Sequence, residues 1–221
     1  MKIVDLTVGI TPDIKIFSGY PQPIFIKWSK LEIHGYDSEV MFLSTHTGTH
    51  IDAPSHFRAG LNAATTTIDE VAVNRFVCRA LLLRVSKKPN QTITYKDIMN
   101  NCNDVSEKDT IVFSTGWERH INKDNYITEN PGLSVNAAKF LIEKKVNAVA
   151  IDGPSIDAGT DSNFTVHKIL LSNNVIIIEN LCNLRKINNR RFTLLVAPLK
   201  LIGASGSPAH AIGTEEILQG K

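Results

Sequence analysis

Apolar positions recur along the chain in two rhythms. Short runs rich in β-branched and aromatic residues, bounded by polar or turn residues, predict strands at Ile3–Thr7, Pro23–Ile33, Val40–Thr45, Arg79–Val85, Thr110–Ser114, Ala148–Ile151, Val175–Glu179 and Phe192–Ala197. A helical rhythm follows Ser134, where Val135, Ala138, Leu141 and Ile142 share one face, Ser134 suits an N-cap, and Lys144-Lys145 fall in the last turn. Thr94–Asn100 and Thr165–Leu171 read as shorter helices. From Val112 to Ile178 strand, helix and strand alternate twice, the pattern of a sheet covered by helices. The first third is rich in strand and loop. A mixed α/β fold is expected, with a β-heavy N-terminal part packed against it.

Composition narrows this picture. The chain has 221 residues and a 43% hydrophobic share, enough for one large domain with a real core and short for two. Twenty-four Lys and Arg stand against 22 Asp and Glu, which argues against electrostatic binding of nucleic acid or membrane surfaces. The cluster Arg185-Lys186 and Arg190-Arg191 reads as a solvated hairpin. No segment has the apolar length of a membrane span, and Asp5 interrupts the N-terminus where a signal peptide needs an apolar run, so a cytoplasmic protein is expected. Cys78, Cys102 and Cys182 form no metal or redox motif and read as reduced, mostly buried thiols.

The candidate chemistry lies in His46-Thr-Gly-Thr-His50-Ile-Asp52-Ala-Pro-Ser-His56, three histidines and a carboxylate in eleven residues. These groups bind divalent metals and move protons. A helix would align His46 with His50, but Thr47, Gly48, Thr49 and Pro54 are poor helix residues. A fully extended strand has the right parity and the wrong length, because at about 3.3 Å per residue the two histidines would stand roughly 13 Å apart. The segment must curl, with turns at Gly48 and Pro54 and a strand ending near Thr45 as its anchor. Further along, Val175–Ile178 reads as a buried strand that delivers Glu179, and His167 opens a helix twelve residues earlier. Alone, Glu179 reads as a solvated strand end and His167 as a capped helix residue; beside the first cluster they are read as metal ligands.

Phe17, Tyr20, Phe57 and Trp117 are candidates for an apolar wall around a ring-bearing substrate, although taken singly Phe17 and Phe57 read first as packing residues. His34 and His120 are expected at the surface, and His210 there or at the pocket. Asp152 and Asp157, in a turn-like Asp-Gly-Pro-Ser segment, suit capping or support of a neighbouring ligand. Ser44 and Ser55 lie near histidines without the Gly-x-Ser-x-Gly elbow of a serine nucleophile.

Together these residues resemble the cyclase-like amidohydrolase family that contains bacterial kynurenine formamidases and isatin hydrolases. The resemblance rests on His-x-x-x-His-x-Asp-x-x-x-His from His46 to His56, and on Ile151-Asp-Gly-Pro-Ser-Ile-Asp157 with His167, Leu170-Leu171 and Glu179-Asn-Leu181. Thr115-Gly-Trp117, Pro131-Gly132 and Gly203–Pro208 support it. The chain departs from the family pattern at Phe17-Ser-Gly-Tyr-Pro21, which lacks an Asp, and at His210, where an Arg is common. The resemblance implies a β/β/α swivelling-type fold and a homodimer or homotetramer. It implies His46, His50 and Asp52 as metal ligands, with Asp52, His167 and Glu179 bridging or completing a second site. His56 would transfer protons, and one or two Zn2+ or Mn2+ ions would be bound per chain.

The expected chemistry is hydrolysis of a C–N bond in a small aryl formamide, lactam or related amide, by hydroxide generated at the metal near neutral pH. Two other readings stand beside it: a metal-dependent cyclase or dehydratase acting on a polyketide-like substrate, and a non-catalytic metal-binding protein.

Overall fold

The computed structural model describes residues 1–57, 64–102 and 104–215. Its strands are β1 (Lys2–Asp5), β2 (Ile24–Ser29), β3 (Ser38–Phe42), β4 (His50–Asp52), β5 (Val77–Arg84), β6 (Thr92–Ile93), β7 (Thr110–Ser114), β8 (Gly132–Leu133), β9 (Ala148–Ile151), β10 (Ile176–Glu179), β11 (Arg191–Pro198) and β12 (Gly206–Glu215). The helices are α1 (Leu31–His34), α2 (Tyr95–Asn101), α3 (Val135–Glu143) and α4 (Thr165–Ser172).

One sheet dominates, in the order β1-β12-β11-β5-β7-β9-β10-β4, and β4 also pairs with β12. The sheet therefore closes on itself into a barrel-like core. Strands β5, β7, β9 and β10 run parallel, as the alternation of strands and helices predicts, while β4, β11 and β12 join antiparallel. The period of two along each strand sorts the core into two layers. Ala80, Leu82, Val112, Ala148, Ala150, Ile176 and Ile178 pack with Ile51, Leu194 and Ala211 in one cluster. Leu81, Leu83, Ile111, Phe113, Val149, Ile151 and Ile177 pack on the opposite face with Ile98 of α2, Leu141 of α3 and Leu170 of α4.

The helices begin where their sequences allow. Ser134 Oγ accepts the Ala137 amide at 3.3 Å, and Thr94 and Asp97 form a reciprocal capping box at the start of α2. Near the N-terminus the expected strand Pro23–Ile33 is shorter, ending at Ser29 before α1, and the expected strand Val40–Thr45 ends at Phe42. The curl predicted for the histidine segment is present, but it contains a strand of its own, β4. Strand β12, absent from the sequence reading, is the longest among the described residues at ten residues. Among the described residues no helix is long and apolar enough to cross a membrane.

The parallel strands end at a common rim. At the end of β9, Asp152 is buried and accepts the Thr115 amide, the Thr115 hydroxyl and the Gly116 amide at 2.9, 2.6 and 2.7 Å, fastening the exit of β7. The adjoining Gly153 carbonyl accepts the Asn180 amide at 2.8 Å and so fixes the exit of β10. Burial outweighs the hydrogen bonds and raises the Asp152 carboxyl to about 6. The folded state then holds a proton that the unfolded chain has released, so stability falls as pH rises from about 4 to about 6. Asp152→Asn should remove that component, on the order of 3 kcal/mol. Denaturant melts of wild type and variant across this range check it. An identical pH slope in both would contradict the assignment.

Candidate metal centre

Strand register brings the predicted residues together. β4 lies between β10 and β12, with His50 opposite Glu179 and Asp52 opposite Ile177 on one side, and Pro208 and Gly206 opposite the same two residues on the other. Ile51 points into the inner cluster, so His50 and Asp52 share the opposite face with Glu179. Helix α4 adds His167 from its first turn. His46 approaches from the turn before β4 and His56 from the turn after it. Gly48 has φ +64, a backbone state that glycine adopts without strain. Gly206 clears the space for His46: a Cβ there would lie 2.5 Å from His46 Cε1 and 2.6 Å from the Ile51 carbonyl oxygen.

Two sets of donors converge on Asp52. Ligand atoms of His46, Asp52 and His56 lie within 4.8 Å of one another, and so do those of His50, Asp52 and Glu179. His167 joins them, its Nε2 being 3.3 Å from Asp52 Oδ2 and 3.2 Å from Glu179 Oε1. His50 Nε2 stands 3.3 Å from Asp52 Oδ1 and 3.5 Å from Glu179 Oε2. His56 is thus placed both to coordinate and, as the sequence reading has it, to transfer a proton.

The supporting contacts orient each donor. His50 Nδ1 donates to the Gly48 carbonyl at 2.8 Å, which leaves Nε2 as the lone-pair nitrogen of the neutral ring. His167 Nδ1 donates to Asp157 Oδ2, and Asp157 also accepts the Val166 and His167 amides at 2.6 and 3.1 Å. Asp157 therefore caps α4 and aims its histidine, the two supporting roles read from its turn. Glu179 Oε1 accepts the Ile156 amide at 2.7 Å. His46 contacts Asp52 Oδ1 through Nδ1 at 2.7 Å and Ser205 Oγ through Nε2 at 3.0 Å.

The electrostatics follow from burial and mutual charge. Burial alone would push His50 down, but Asp52 and Glu179 raise it to about 9. Burial likewise opposes charge on His167, and Glu179 and Asp157 lift it well above the ordinary histidine value. Asp52 would rise on burial, but the surrounding histidines hold it well below the usual carboxylate range. His56 also feels Asp52, which favours its charged form, but burial and the charges of His46, His167 and His50 outweigh that attraction. Burial drives it down to about 4, so its ring is neutral at neutral pH.

Whether a cation fits is decided by Asp52. Its side chain is fully buried, and among the described residues Oδ2 accepts no hydrogen bond. An ionised oxygen left in that state is costly, whereas a divalent cation would satisfy it together with the imidazole nitrogens around it. The donor set fits a metal.

Above the cluster opens a cavity of about 320 Å³ lined by Phe17, Tyr20, Phe57 and Phe164 over His46, His56 and Glu179. The Tyr20 ring lies parallel to His46 with centroids 6.0 Å apart, and Phe57 stacks on Phe164 at 4.9 Å. Trp117 and His210, the other two residues expected at the pocket, lie elsewhere. Trp117 is buried beneath the rim, donating its indole N–H to the Tyr126 carbonyl at 2.9 Å and stacking on His120. His210 projects from the outer side of β12, largely exposed, 3.3 Å from Asp5. Both are placed by the strand or turn that carries them, which points them away from the cavity.

Sequence reasoning passed over Phe164, Ser205 and a buried relay behind His50. In that relay the Tyr126 hydroxyl donates to Asn180 Oδ1 at 2.7 Å, and Asn180 Nδ2 donates to the Gly48 carbonyl at 2.9 Å. Only the Glu179-Asn-Leu181 motif hinted at Asn180.

Comparison with known proteins follows the same geometry. Residues 4–158 match the family described as "Putative cyclase". The kynurenine formamidase of Bacillus cereus strain ZK is 30% identical over 210 residues, spanning 95% of both chains. The isatin hydrolase of Roseibium aggregatum is 26% identical over 241 residues, spanning 96% of this chain and 91% of that one. Among solved structures, isatin hydrolase A from Labrenzia aggregata superposes with a TM-score of 0.89 at 24% identity, over 97% of this chain and 94% of that one, and shares the fold. A predicted metal-dependent hydrolase from Bacillus stearothermophilus is 30% identical with a TM-score of 0.77, over 96% of this chain and 97% of the other. Matched in sequence over most of its length and in fold over nearly all of it, the chain belongs to the cyclase family.

Proposed function

We propose that the protein is a metal-dependent hydrolase that cleaves the C–N bond of a small ring-bearing amide such as an aryl formamide or a lactam. One observation carries the reading: two donor sets share Asp52, whose Oδ2 accepts no hydrogen bond among the described residues, on the floor of an aromatic-walled cavity. The kynurenine formamidase and isatin hydrolase relatives support the bond type and the substrate class. His46, His50, Asp52, His167 and Glu179 are the proposed ligands, for one or two ions. Mixed imidazole and carboxylate donors suit zinc or manganese. A divalent ion so held supplies Lewis acidity and makes nucleophilic water available near neutral pH.

The remaining work falls to side chains of the chain itself. His56, neutral at working pH, is placed to accept a proton from the attacking water and return it to the departing nitrogen. Its ring is held by stacking on His46, with centroids 3.7 Å apart, and by the edge contact with Phe57 at 4.5 Å. Phe17, Tyr20, Phe57 and Phe164 present an apolar wall suited to a flat ring and exclude bulk water from the polar floor.

A second reading keeps the same site and changes the reaction to ring closure or dehydration. It draws on the family's description and on a neighbour 29% identical with a TM-score of 0.79, described as a potential metal-dependent hydrolase with cyclase activity. Parallel assays of formamide, lactam and cyclisation substrates separate the two.

His56→Ala should keep its metal and lose roughly 10²–10⁴-fold in kcat on the cleaved amide. Metal content and kcat measured on one preparation test this: full activity removes the proton-transfer role, and metal loss makes His56 a ligand instead. Because His50 and His167 are held protonated at neutral pH without metal, binding must expel protons, and apparent affinity should rise with pH between about 6 and 9. Calorimetric titration of metal-free protein at pH 7, in buffers of different ionisation enthalpy, should show at least one proton released per ion. Zero release would contradict the histidine assignments.

A further inference from the structure

The parallel strands deliver Asp152 and Glu179 at one end of the sheet, and their opposite ends meet at a second cavity, of about 710 Å³. Arg75, Arg79, Lys108, Lys145, Asn147 and Asn174 line it. Arg79 lies on β5, while Lys108, Asn147 and Asn174 precede β7, β9 and β10. Five residues of chain separate Asn174 from Glu179, roughly 16 Å at about 3.3 Å per residue, so a small ligand held here does not touch the metal cluster.

The charge of this cavity is unmatched. Arg79 is answered by buried Asp109 at 2.8 Å. Arg75, Lys108 and Lys145 form no ion pair among the described residues, and Glu107, the one acid of the lining, pairs with none of them. Arg75 is nevertheless held in place: Nε and both Nη atoms donate to side-chain and main-chain oxygens of Asn147 and Asn174 at 2.7 to 3.0 Å. Those acceptors are neutral, so the guanidinium is fixed without being neutralised. Burial acts on it with no opposing carboxylate and lowers it below the ordinary arginine value. The two lysines are gathered by the backbone. The Lys108 amide donates to the Lys145 carbonyl at 3.0 Å, and both residues are left-handed, with φ +64 and +53. Glycine or asparagine ordinarily fills such positions. Two lysines there concentrate like charge at one cavity.

We infer that this cavity binds a small phosphate-bearing anion, with Arg75 as its fixed base and Lys108 and Lys145 pairing with the phosphate oxygens. Three unmatched cations against one carboxylate leave about two positive charges, which a phosphate or diphosphate group balances. A ligand with a single carboxylate would leave half of that charge unanswered. Ammonium groups bind phosphate as point charges, and the guanidinium keeps one N–H beyond its four bonds to the asparagines. The concave shape suits a small molecule, and the chain as a whole, with 24 basic against 22 acidic residues, lacks the basic excess of a nucleic-acid binder.

Calorimetric titration of the full chain with inorganic pyrophosphate at low ionic strength tests this without reference to catalysis. Wild type should bind one pyrophosphate per chain, more weakly as salt is raised. Lys108→Asn and Lys145→Asn suit the left-handed backbone, so each should keep the wild-type circular dichroism spectrum while weakening binding roughly tenfold. Because pyrophosphate also ligates divalent ions, wild type and variants are compared at equal metal content, which neither substitution should alter. A wild type that binds no pyrophosphate would overturn the assignment. So would folded variants that bind as wild type does, which would place the anion elsewhere on the molecule. Binding of single-stranded RNA that both variants lose, with no binding of pyrophosphate, would give the cavity to nucleic acid and overturn it equally.

Discussion

The site is organised by a buried carboxylate, one of whose oxygens accepts no hydrogen bond among the described residues. Asp52 sits on a three-residue strand that closes the barrel between β10 and β12, and it is fully buried. Burying such a group is tolerable only when positive charge or strong donors surround it. Four histidines do surround it, but Glu179 adds a second negative charge nearby, and one Asp52 oxygen accepts no hydrogen bond among the described residues. A divalent cation would resolve the imbalance, and the other features of the site aim donors toward the place it would occupy.

That aiming is done by backbone more than by side chains. Register opposes His50 to Glu179; the cap that starts α4 also orients His167 through Asp157; the Gly48 carbonyl, itself fixed by Asn180, sets the ring of His50. Rigid elements hold the donors, while the cavity wall comes from turns and helix starts: Phe17 and Tyr20, Phe57, and Phe164 at the head of α4. Loops can vary the wall without disturbing the floor.

Much of the site was legible in the sequence, because donor identity and spacing constrain metal chemistry tightly. The curl expected of the His46–Asp52 segment, argued from two histidines sharing one ion, is present, although His46 and His50 fall in different donor sets around Asp52. His167 and Glu179 were reachable because a helix start and a strand end can meet across a short turn. What stayed hidden depended on tertiary partners. β12 runs Gly206-Ser-Pro-Ala-His-Ala-Ile-Gly213-Thr-Glu, poor in strand-forming residues, and becomes a strand because β1, β4 and β11 all pair with it. β4 is too short and polar to show a period. Trp117 stood after a strand where loops often carry function, but its indole N–H found a buried carbonyl and the ring became core. His210 follows the alternation of a strand that was not visible, and therefore points outward.

The central claim, that Asp52 anchors a divalent cation, is tested most directly by elemental analysis of purified wild type and Asp52→Ala, with folding of both confirmed by circular dichroism. The account predicts at least one zinc or manganese ion per wild-type chain and a large loss in the variant. Folded wild type that takes up no metal from metal-replete solution, or a variant with undiminished metal content, would contradict it.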